Sequence, residues 1–312
     1  MYAVIFDKKS PTERLIYCDV EKPIPNDNEL LIETHVASIN AADYRMIQMG
    51  FPPKKKIFGA DVAGIVETVG KNVNKFKPGD HVIGELSDCG FGGWAEYVAA
   101  PEKAFIIKPK EISFEDAVAL PLAATTALQA LRNKGSIKKD CQVLIIGCSG
   151  GVGSYALQFA KYYGATVTGV CSSKNEEQTR LLGADCVIDY KKVNLSQIDS
   201  RYDLILGING NYSLRLCKKL LKPHGRYIMV GGSLYQIFKS ILFGWMMSFG
   251  SKKMSFLAAK SSTDDMEFII KLAVDGKIRS VIDRNFRLSE TAAAIRFIKE
   301  EHAKGKVIIK VK

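Results

Sequence analysis

The chain has 312 residues, 47% of them apolar, which is enough for two globular domains. Its N-terminus lacks the charged start and long apolar run of a secretory signal, and its seven scattered cysteines form no Cys-x-x-Cys pair. These features argue against a disulfide framework and a clustered zinc site, so we expect a cytoplasmic protein. The net charge of +11 is spread along the chain, which favours a solvated basic surface over a nucleic-acid or membrane site.

The first part of the chain, residues 1–120, is predicted to form a small antiparallel β-barrel. Residues 30–39 alternate as a strand does, and residues 61–70 carry glycines where a strand bends or a barrel closes. Pro78–Gly79–Asp80 predict a turn before a further strand.

Strands and helices alternate over residues 121–255. The first helix is expected to stop at Gly135, and a later one, "SLRLCKKLLKPHG", at its Pro-His-Gly. Alternation of this kind predicts a doubly wound parallel sheet with helices on both faces, the Rossmann arrangement of the α/β class.

The tail, residues 256–312, differs from the preceding segment. It predicts a strand, a helix with Ser289 as N-cap and Gly305 as C-cap, and an alternating terminal strand. We expect this tail to return to the first domain, so that the Rossmann domain is an insertion.

A glycine-rich turn follows the strand "VLIIG" and opens a helix. The spacing Gly147-x-x-Gly150-x-x-Gly153 allows a tight turn and lets a pyrophosphate approach the helix N-terminus, whose N–H groups favour anions. A dinucleotide is the predicted ligand, and a turn that binds nothing is the alternative. The predicted contacts here are Gly147, Ser149, Gly150, Gly151, Val152 and Gly153.

The end of the next strand distinguishes NADPH from NADH. NAD-binding proteins place a carboxylate there for the ribose 2′-hydroxyl, whereas this chain has Ser172, Ser173 and Lys174, with no carboxylate before Glu176. Hydroxyls and a cation suit a 2′-phosphate, so NADPH is favoured. Tyr190 ends the following strand and is predicted either to contact the adenosine phosphate or to be an ordinary surface tyrosine.

Several longer motifs together carry a family resemblance. They are "ASINAADYRMIQMG", "FGADVAGIVETVG", "PLAATTALQAL", "GCSGGVGSYALQFAKYYGATVTGVCSS", "LLGADCVIDY", "LKPHGRYIMVGG" and "VIDRNFRLSETAAAI" with "HAKGKVIIKV". From about residue 2 to 311 the chain resembles the medium-chain dehydrogenase/reductase superfamily, in its zinc-independent quinone oxidoreductase branch. The resemblance implies a GroES-like β-barrel domain split around a Rossmann domain, and a homodimer.

The resemblance also bears on metals. Zinc-dependent alcohol dehydrogenases of the superfamily have ligands where this chain has Asn40, Ala60 and Leu122, which cannot form a tetrahedral N/S site. The four cysteines of the structural zinc lobe are absent as well, since only Cys89 falls in that region. No metal is predicted.

Without a Lewis acid, hydride transfer is easiest to an acceptor that spreads the incoming charge, such as a quinone or an α,β-unsaturated carbonyl (an enal or enone). The resemblance implies that Asn40, Asp43 and Thr126 lie beside the nicotinamide and its ribose. Asn40 is expected to hold the acceptor carbonyl or a ribose hydroxyl, and Thr126 the carboxamide; structural roles are the alternative. Gly207 and Gly231 are the remaining predicted cofactor contacts.

The sequence therefore predicts an NADPH-dependent, zinc-independent quinone or enone reductase. Two alternatives stay open: an enoyl-thioester reductase of the same fold, and a cofactor-binding protein whose basic surface contacts nucleic acid or membrane. Residues 236–256 are apolar and rich in aromatics and methionine. They predict a dimer interface or core edge, a wall for a hydrophobic acceptor, or, less favoured, a peripheral membrane contact.

Overall fold

A computed structural model of the chain describes residues 1–8, 14–208, 212–231, 250–301 and 303–312. The chain divides into two compact units, Met1–Thr125 with Lys260–Lys312, and Thr126–Ala259. The second unit is inserted in the sequence of the first. The predicted nucleotide-binding range, 121–255, differs from the second unit by a few residues at each end. It begins five residues before Thr126 and ends four residues before Ala259.

Strands and helices follow one another in this order. The strands are β1 (Tyr2–Phe6), β2 (Leu15–Asp19), β3 (Glu29–Ile39), β4 (Asp61–Val69), β5 (His81–Glu85), β6 (Tyr97–Pro101), β7 (Phe105–Ile107), β8 (Gln142–Ile146), β9 (Thr166–Cys171), β10 (Cys186–Asp189), β11 (Tyr202–Ile208), β12 (Leu221–Val230), β13 (Lys253–Leu257), β14 (Ile282–Arg287) and β15 (Lys306–Lys310). The helices are α1 (Ala41–Met49), α2 (Phe114–Val118), α3 (Pro121–Gln129), α4 (Gly151–Tyr162), α5 (Glu176–Leu181), α6 (Leu214–Leu220), α7 (Thr263–Val274) and α8 (Thr291–Glu301).

The first unit is built on a mixed sheet. Within the described residues it has seven strands, in the order β14–β15–β3–β4–β5–β7 with β6 also paired to β3. The C-terminal strand β15 lies antiparallel to β3, with Val307 opposite Ile39. The tail therefore completes the sheet that the first hundred residues begin, and Lys306 at the start of β15 comes close to the end of β3.

The second unit is built on a parallel sheet. In the part of the chain that the structure describes, its six strands follow the order β10–β9–β8–β11–β12–β13. From β8 the chain proceeds to one side through β9 and β10, then to the other side through β11 to β13. The glycine-rich turn after β8 thus lies where the strand order reverses, the position at which sheets of this class bind ligands.

The residues of β8 explain why it is central. Val143, Leu144 and Ile145 are fully buried, as expected for a parallel strand covered on both faces. On α4, the fully buried Tyr155 and Phe159 lie on the face that covers the sheet. The turn between β8 and α4 therefore lies between two well-packed elements.

Three predicted helix boundaries, in two helices, are wrong. Helix α6 ends at Leu220, and the residues Pro223 and His224, predicted to end it, belong to β12. A proline disfavours helical geometry in the residue before it, so the helix ends earlier. In the tail, Ser289 lies within a 3₁₀ turn and α8 begins at Thr291, while Gly305 lies four residues beyond the end of α8.

The apolar segment predicted at residues 236–256 lies mostly outside the described residues, and only 250–256 are described. Of these, residues from Lys253 onward form β13, the edge strand of the parallel sheet. Among the helices that the structure describes, none combines the length and apolar character required to cross a membrane.

Candidate functional site

Two glycines of the turn after β8 are required by the protein's own packing. Gly147 has a φ of +84°, and a Cβ placed there would lie 2.2 Å from the carbonyl oxygen of Ile208 on β11. A Cβ at Gly153 would lie 2.1 Å from the carbonyl oxygen of Gly147. The first glycine makes the tight turn, and the last brings α4 against it.

The middle glycine of the pattern has a different environment. Gly150 is the N-cap of α4, with φ −82° and ψ 178°, a conformation open to any residue. Among the described residues, a Cβ there would meet nothing nearer than the oxygen of Gly147 at 3.9 Å. Packing therefore does not explain this glycine. Space left in front of an uncapped helix N-terminus fits a pyrophosphate, so the turn suits the dinucleotide that the sequence predicts.

A polar contact links this turn to the next one. Asn175, which follows β9, donates from Nδ2 to the hydroxyl oxygen of Ser149 at 2.9 Å. Asn175 is buried, and its Oδ1 has no hydrogen-bond partner among the described residues. The Thr179 hydroxyl in turn donates to the Asn175 carbonyl at 2.8 Å. Asn175 was not predicted from the sequence, where its only signal is its place just before α5.

A carboxylate lies beside the predicted 2′-phosphate site. The Ser173 hydroxyl donates to Asp189, whose other oxygen accepts from the Lys191 N–H at 2.9 Å. These two donors hold the pKa of Asp189 below its usual range, so it is ionised at neutral pH. Asp189 was not predicted from the sequence because it lies 16 residues after Ser173, and only the pairing of β10 with β9 sets it opposite Cys171.

This carboxylate changes the expected role of Ser173. Its hydroxyl already donates a hydrogen bond to Asp189, so the hydroxyl must rotate before it can donate to a phosphate. Lys174 and Tyr190 are exposed, and Ser172 is buried at the start of the same turn. The Tyr190 N–H donates to the Cys171 carbonyl at 3.1 Å, which anchors that residue beside the end of β9.

The remaining predicted cofactor glycines have other or partial explanations. A Cβ at Gly207 would lie 2.4 Å from the hydroxyl oxygen of Tyr227, so this glycine makes room for a neighbouring side chain. Gly231 has a φ of +70° and is the last residue described before residue 250.

In the first unit, Asn40 and Asp43 meet at the start of α1. The Asn40 backbone N–H donates to Asp43 Oδ2 at 2.7 Å. Asp43 is fully buried, and its Oδ1 has no partner among the described residues. Burial raises the pKa of Asp43 to about 7; the Asn40 N–H opposes this rise, and the nearby Asp61 adds to it.

A buried ion pair surrounds the Asn40 side chain. Lys306, only 3% exposed, donates from Nζ to Asn40 Oδ1 at 2.6 Å and to Asp61 Oδ2 at 3.1 Å. Asp61 Oδ2 also accepts from Asn40 Nδ2 at 2.8 Å and from the Ser38 hydroxyl at 2.6 Å. The second oxygen of Asp61 accepts from the Leu122 N–H at 3.0 Å. Lys306 was not predicted from the sequence, where its only signal is a lysine at the start of an apolar strand.

The positions of the superfamily's zinc ligands therefore hold different groups. The Asn40 side chain is hydrogen-bonded to Lys306 and Asp61. The side chains of Ala60 and Leu122 carry no atom that could coordinate a metal, and the Leu122 N–H is hydrogen-bonded to Asp61. Among the described residues, no group of three or more His, Cys, Asp or Glu side chains could hold a metal ion. The prediction of no metal rests on these residue types and stays a prediction.

Thr126, the third predicted catalytic residue, lies on α3 and is the first residue of the second unit. Its side chain is half-buried.

All seven cysteines are described and all are free thiols.

Comparison with known proteins identifies related chains over nearly the whole length. Family models described as "Alcohol dehydrogenase GroES-like domain" and "Zinc-binding dehydrogenase" match residues 26–110 and 182–309. The chain is 34% identical to the chloroplast envelope quinone oxidoreductase homolog of Arabidopsis thaliana, over 95% of this chain and 93% of the relative. It is 33% identical to the chloroplastic NADPH-dependent alkenal/one oxidoreductase of the same plant, over 92% of this chain and 73% of that one.

A solved structure agrees with this relationship. The quinone oxidoreductase from Coxiella burnetii superposes with a TM-score of 0.90 at 30% identity, over 100% of this chain and 99% of that chain. The predicted combination of a GroES-like domain with a Rossmann-type parallel sheet is confirmed.

Proposed function

We propose that this chain, which belongs to the quinone oxidoreductase-like branch of the medium-chain dehydrogenase/reductase superfamily, is an NADPH-dependent reductase of quinones and α,β-unsaturated carbonyls. The observation that carries the proposal is the turn after β8, where Gly150 leaves open space that no described side chain needs. Two relatives support the acceptor class by their names, quinone oxidoreductase and alkenal/one oxidoreductase.

NADPH, when bound, supplies a hydride to the acceptor. The residues proposed to hold its phosphates are those of the glycine turn, with Lys174 and Tyr190 at the 2′-phosphate. Lys174 supplies the positive charge, and Ser172 and Ser173 border it. The negative Asp189 is hydrogen-bonded to Ser173, and we expect Lys174 to dominate the preference for a phosphorylated ribose.

On the acceptor side, Asn40 is the proposed contact for the carbonyl or a ribose hydroxyl. Its amide is held by Lys306 and Asp61 and its backbone by Asp43, so the group is preorganised. A conjugated acceptor spreads the incoming charge, so hydrogen bonds and positioning suffice where a simple aldehyde needs a Lewis acid or a proton donor. Thr126 stays the proposed contact of the carboxamide.

The activity test follows the loss of NADPH absorbance with a panel of quinones, enals, enones and enoyl thioesters. We expect turnover with quinones and enones. Turnover confined to enoyl thioesters would assign the chain to that alternative reaction. No turnover together with salt-sensitive binding to nucleic acid or anionic vesicles would instead indicate a binding protein with a basic surface.

The cofactor test is Lys174→Glu, which reverses the charge beside the 2′-phosphate. We expect kcat/KM for NADPH to fall by about two orders of magnitude relative to NADH, since charge-assisted contacts contribute about 1.5–3 kcal/mol each. The matched control is Lys138→Glu, the same change at an exposed lysine before β8, at the amino ends of the strands. Unchanged cofactor preference in Lys174→Glu would refute the role of this lysine.

The cytoplasmic location and the homodimer belong to the same proposal. Free thiols in all seven cysteines support a reducing compartment. The names of the plant relatives place those proteins in chloroplasts, and that location is not transferred to this chain. Light scattering of the purified chain, with a mass of two copies expected, tests the dimer.

A further inference from the structure

The buried ion pair of Lys306 and Asp61 has no role in the function proposed above beyond its contact with Asn40. Lys306 is 3% exposed and Asp61 fully buried. Burying two charges is expensive, and an apolar pair of the same size is often as stable or more stable. A purely structural explanation of the pair is therefore weak, and its contacts point to another role.

An asparagine amide has two ends that differ chemically. A lysine ammonium only donates hydrogen bonds, and an ionised carboxylate only accepts them. With Lys306 at Oδ1 and Asp61 at Nδ2, the amide has one orientation that satisfies both ions. The flipped amide would set its N–H₂ against the ammonium and its oxygen against the carboxylate.

We propose that Lys306 and Asp61 are positioning residues that fix the orientation of the Asn40 amide, so that its remaining N–H and lone pair face the reacting groups in one arrangement. The inference rests on the role proposed for Asn40 and deepens it. Lys306 reaches this position because β15 lies beside β3, whose end leads directly into Asn40. The N-terminal part of the chain therefore supplies Asn40, and the C-terminal strand supplies the lysine that orients its amide.

The direct test is the double substitution Lys306→Met with Asp61→Asn, which removes both charges and keeps the volumes similar. We expect a folded protein whose kcat is lower by about two orders of magnitude, as small displacements of reacting groups produce. The matched control is Lys310→Met with Glu115→Gln, the half-exposed ion pair 3.1 Å long that involves the same strand. Its kcat should stay within about twofold. A double variant at Lys306 and Asp61 that keeps full kcat would overturn the inference.

A second measurement does not depend on turnover. In protein labelled with ¹⁵N at asparagine, we expect the Asn40 side-chain N–H₂ to give two resolved signals. They should exchange with solvent at least about tenfold more slowly than those of the exposed Asn133 in the same spectrum. In the double variant this difference should be lost.

The two proposals fail separately. If the unmodified protein turns over no acceptor, the proposed function fails, while slow Asn40 exchange that the double substitution abolishes still supports the fixed amide. If the double variant does not fold, the unmodified protein decides. Asn40 signals that exchange as fast as those of Asn133 would overturn the inference.

Discussion

At the scale of single residues, the site depends on polar groups buried more deeply than their neighbours in sequence indicate. Asp43 is fully buried, and its pKa is raised to about 7, chiefly by burial. Asp189 shows the opposite behaviour, since the Ser173 hydroxyl and the Lys191 N–H hold its pKa down. Two aspartates of one chain therefore differ in protonation near neutral pH because their surroundings differ.

The raised pKa of Asp43 predicts a pH dependence of stability. Between about pH 4, where the unfolded carboxyl titrates, and about pH 7, the folded state binds the extra proton. The free energy of unfolding should therefore fall as pH rises through this window, by up to about 4 kcal/mol. In Asp43→Asn this fall should be absent. Urea unfolding of both proteins from pH 4 to 8 measures the difference, and parallel profiles would contradict the prediction.

At the scale of elements, the turn between β8 and α4 serves packing and is proposed to bind the cofactor, and different glycines carry these two roles. A Cβ at Gly153 would collide with the Gly147 carbonyl oxygen, whereas a Cβ at Gly150 would meet no described atom nearer than 3.9 Å. The sequence pattern alone does not distinguish them. Only the paths of β8, α4 and β11 show which glycine the packing requires and which one it does not.

Gly150→Ala should therefore act mainly on NADPH binding, and Gly153→Ala mainly on stability. A methyl group at Gly150 meets no described atom nearer than 3.9 Å, so the free energy of unfolding should fall by no more than about 1 kcal/mol. The affinity for NADPH should fall at least about tenfold, because the methyl group fills the phosphate space. Gly153→Ala should lower the unfolding free energy by about 3 kcal/mol or more, since its methyl group lies 2.1 Å from a carbonyl oxygen.

Thermal unfolding and fluorescence titration with NADPH measure the two effects on the same samples. Each variant serves as the control for the other. A Gly150→Ala protein that binds NADPH as well as the unmodified chain would show that the open space is not the phosphate site.

At the scale of the whole molecule, the N-terminal and C-terminal parts of the chain together form one unit, and the second unit is inserted between them in the sequence. Strand β15 lies between β14 and β3. Its Val307, Ile308 and Ile309 are all buried, with at most 1% of each exposed. The first unit is therefore complete only when the last residues of the chain are present. The tail also supplies Lys306, so folding and the orientation of Asn40 depend on the same strand.

A chain that stops after Gly305 should fail to fold its first unit. It loses three buried aliphatic side chains worth about 2 kcal/mol each, close to the whole stability of an ordinary domain. Circular dichroism and limited proteolysis should show loss of the first unit's β-structure. The control is deletion of Lys312 alone, which removes a half-exposed contact with Glu33 and should leave the melting temperature nearly unchanged. Cooperative unfolding of the truncated chain at the original temperature would contradict the prediction.

Local features of the sequence determined the fold class and the position of the glycine-rich turn. Three signals extend over only a few residues each, so they can be recognised in the sequence. They are the alternation of strands and helices, the apolar run of β8 and the spacing of the glycines that follow it. Helix ends were less legible at α6 and α8, where the proline effect and a 3₁₀ turn shifted the boundaries.

Tertiary structure alone decided which distant polar groups meet. Lys306 reaches Asn40 across 266 positions, and Asp189 reaches Ser173 across 16, because neighbouring strands bring their ends together. Whether Asp43 titrates near neutral pH, and which glycine leaves room for a ligand, likewise depend on burial by remote segments. Hydrogen bonds and desolvation act through space over a few ångströms, and separation along the chain does not report that distance.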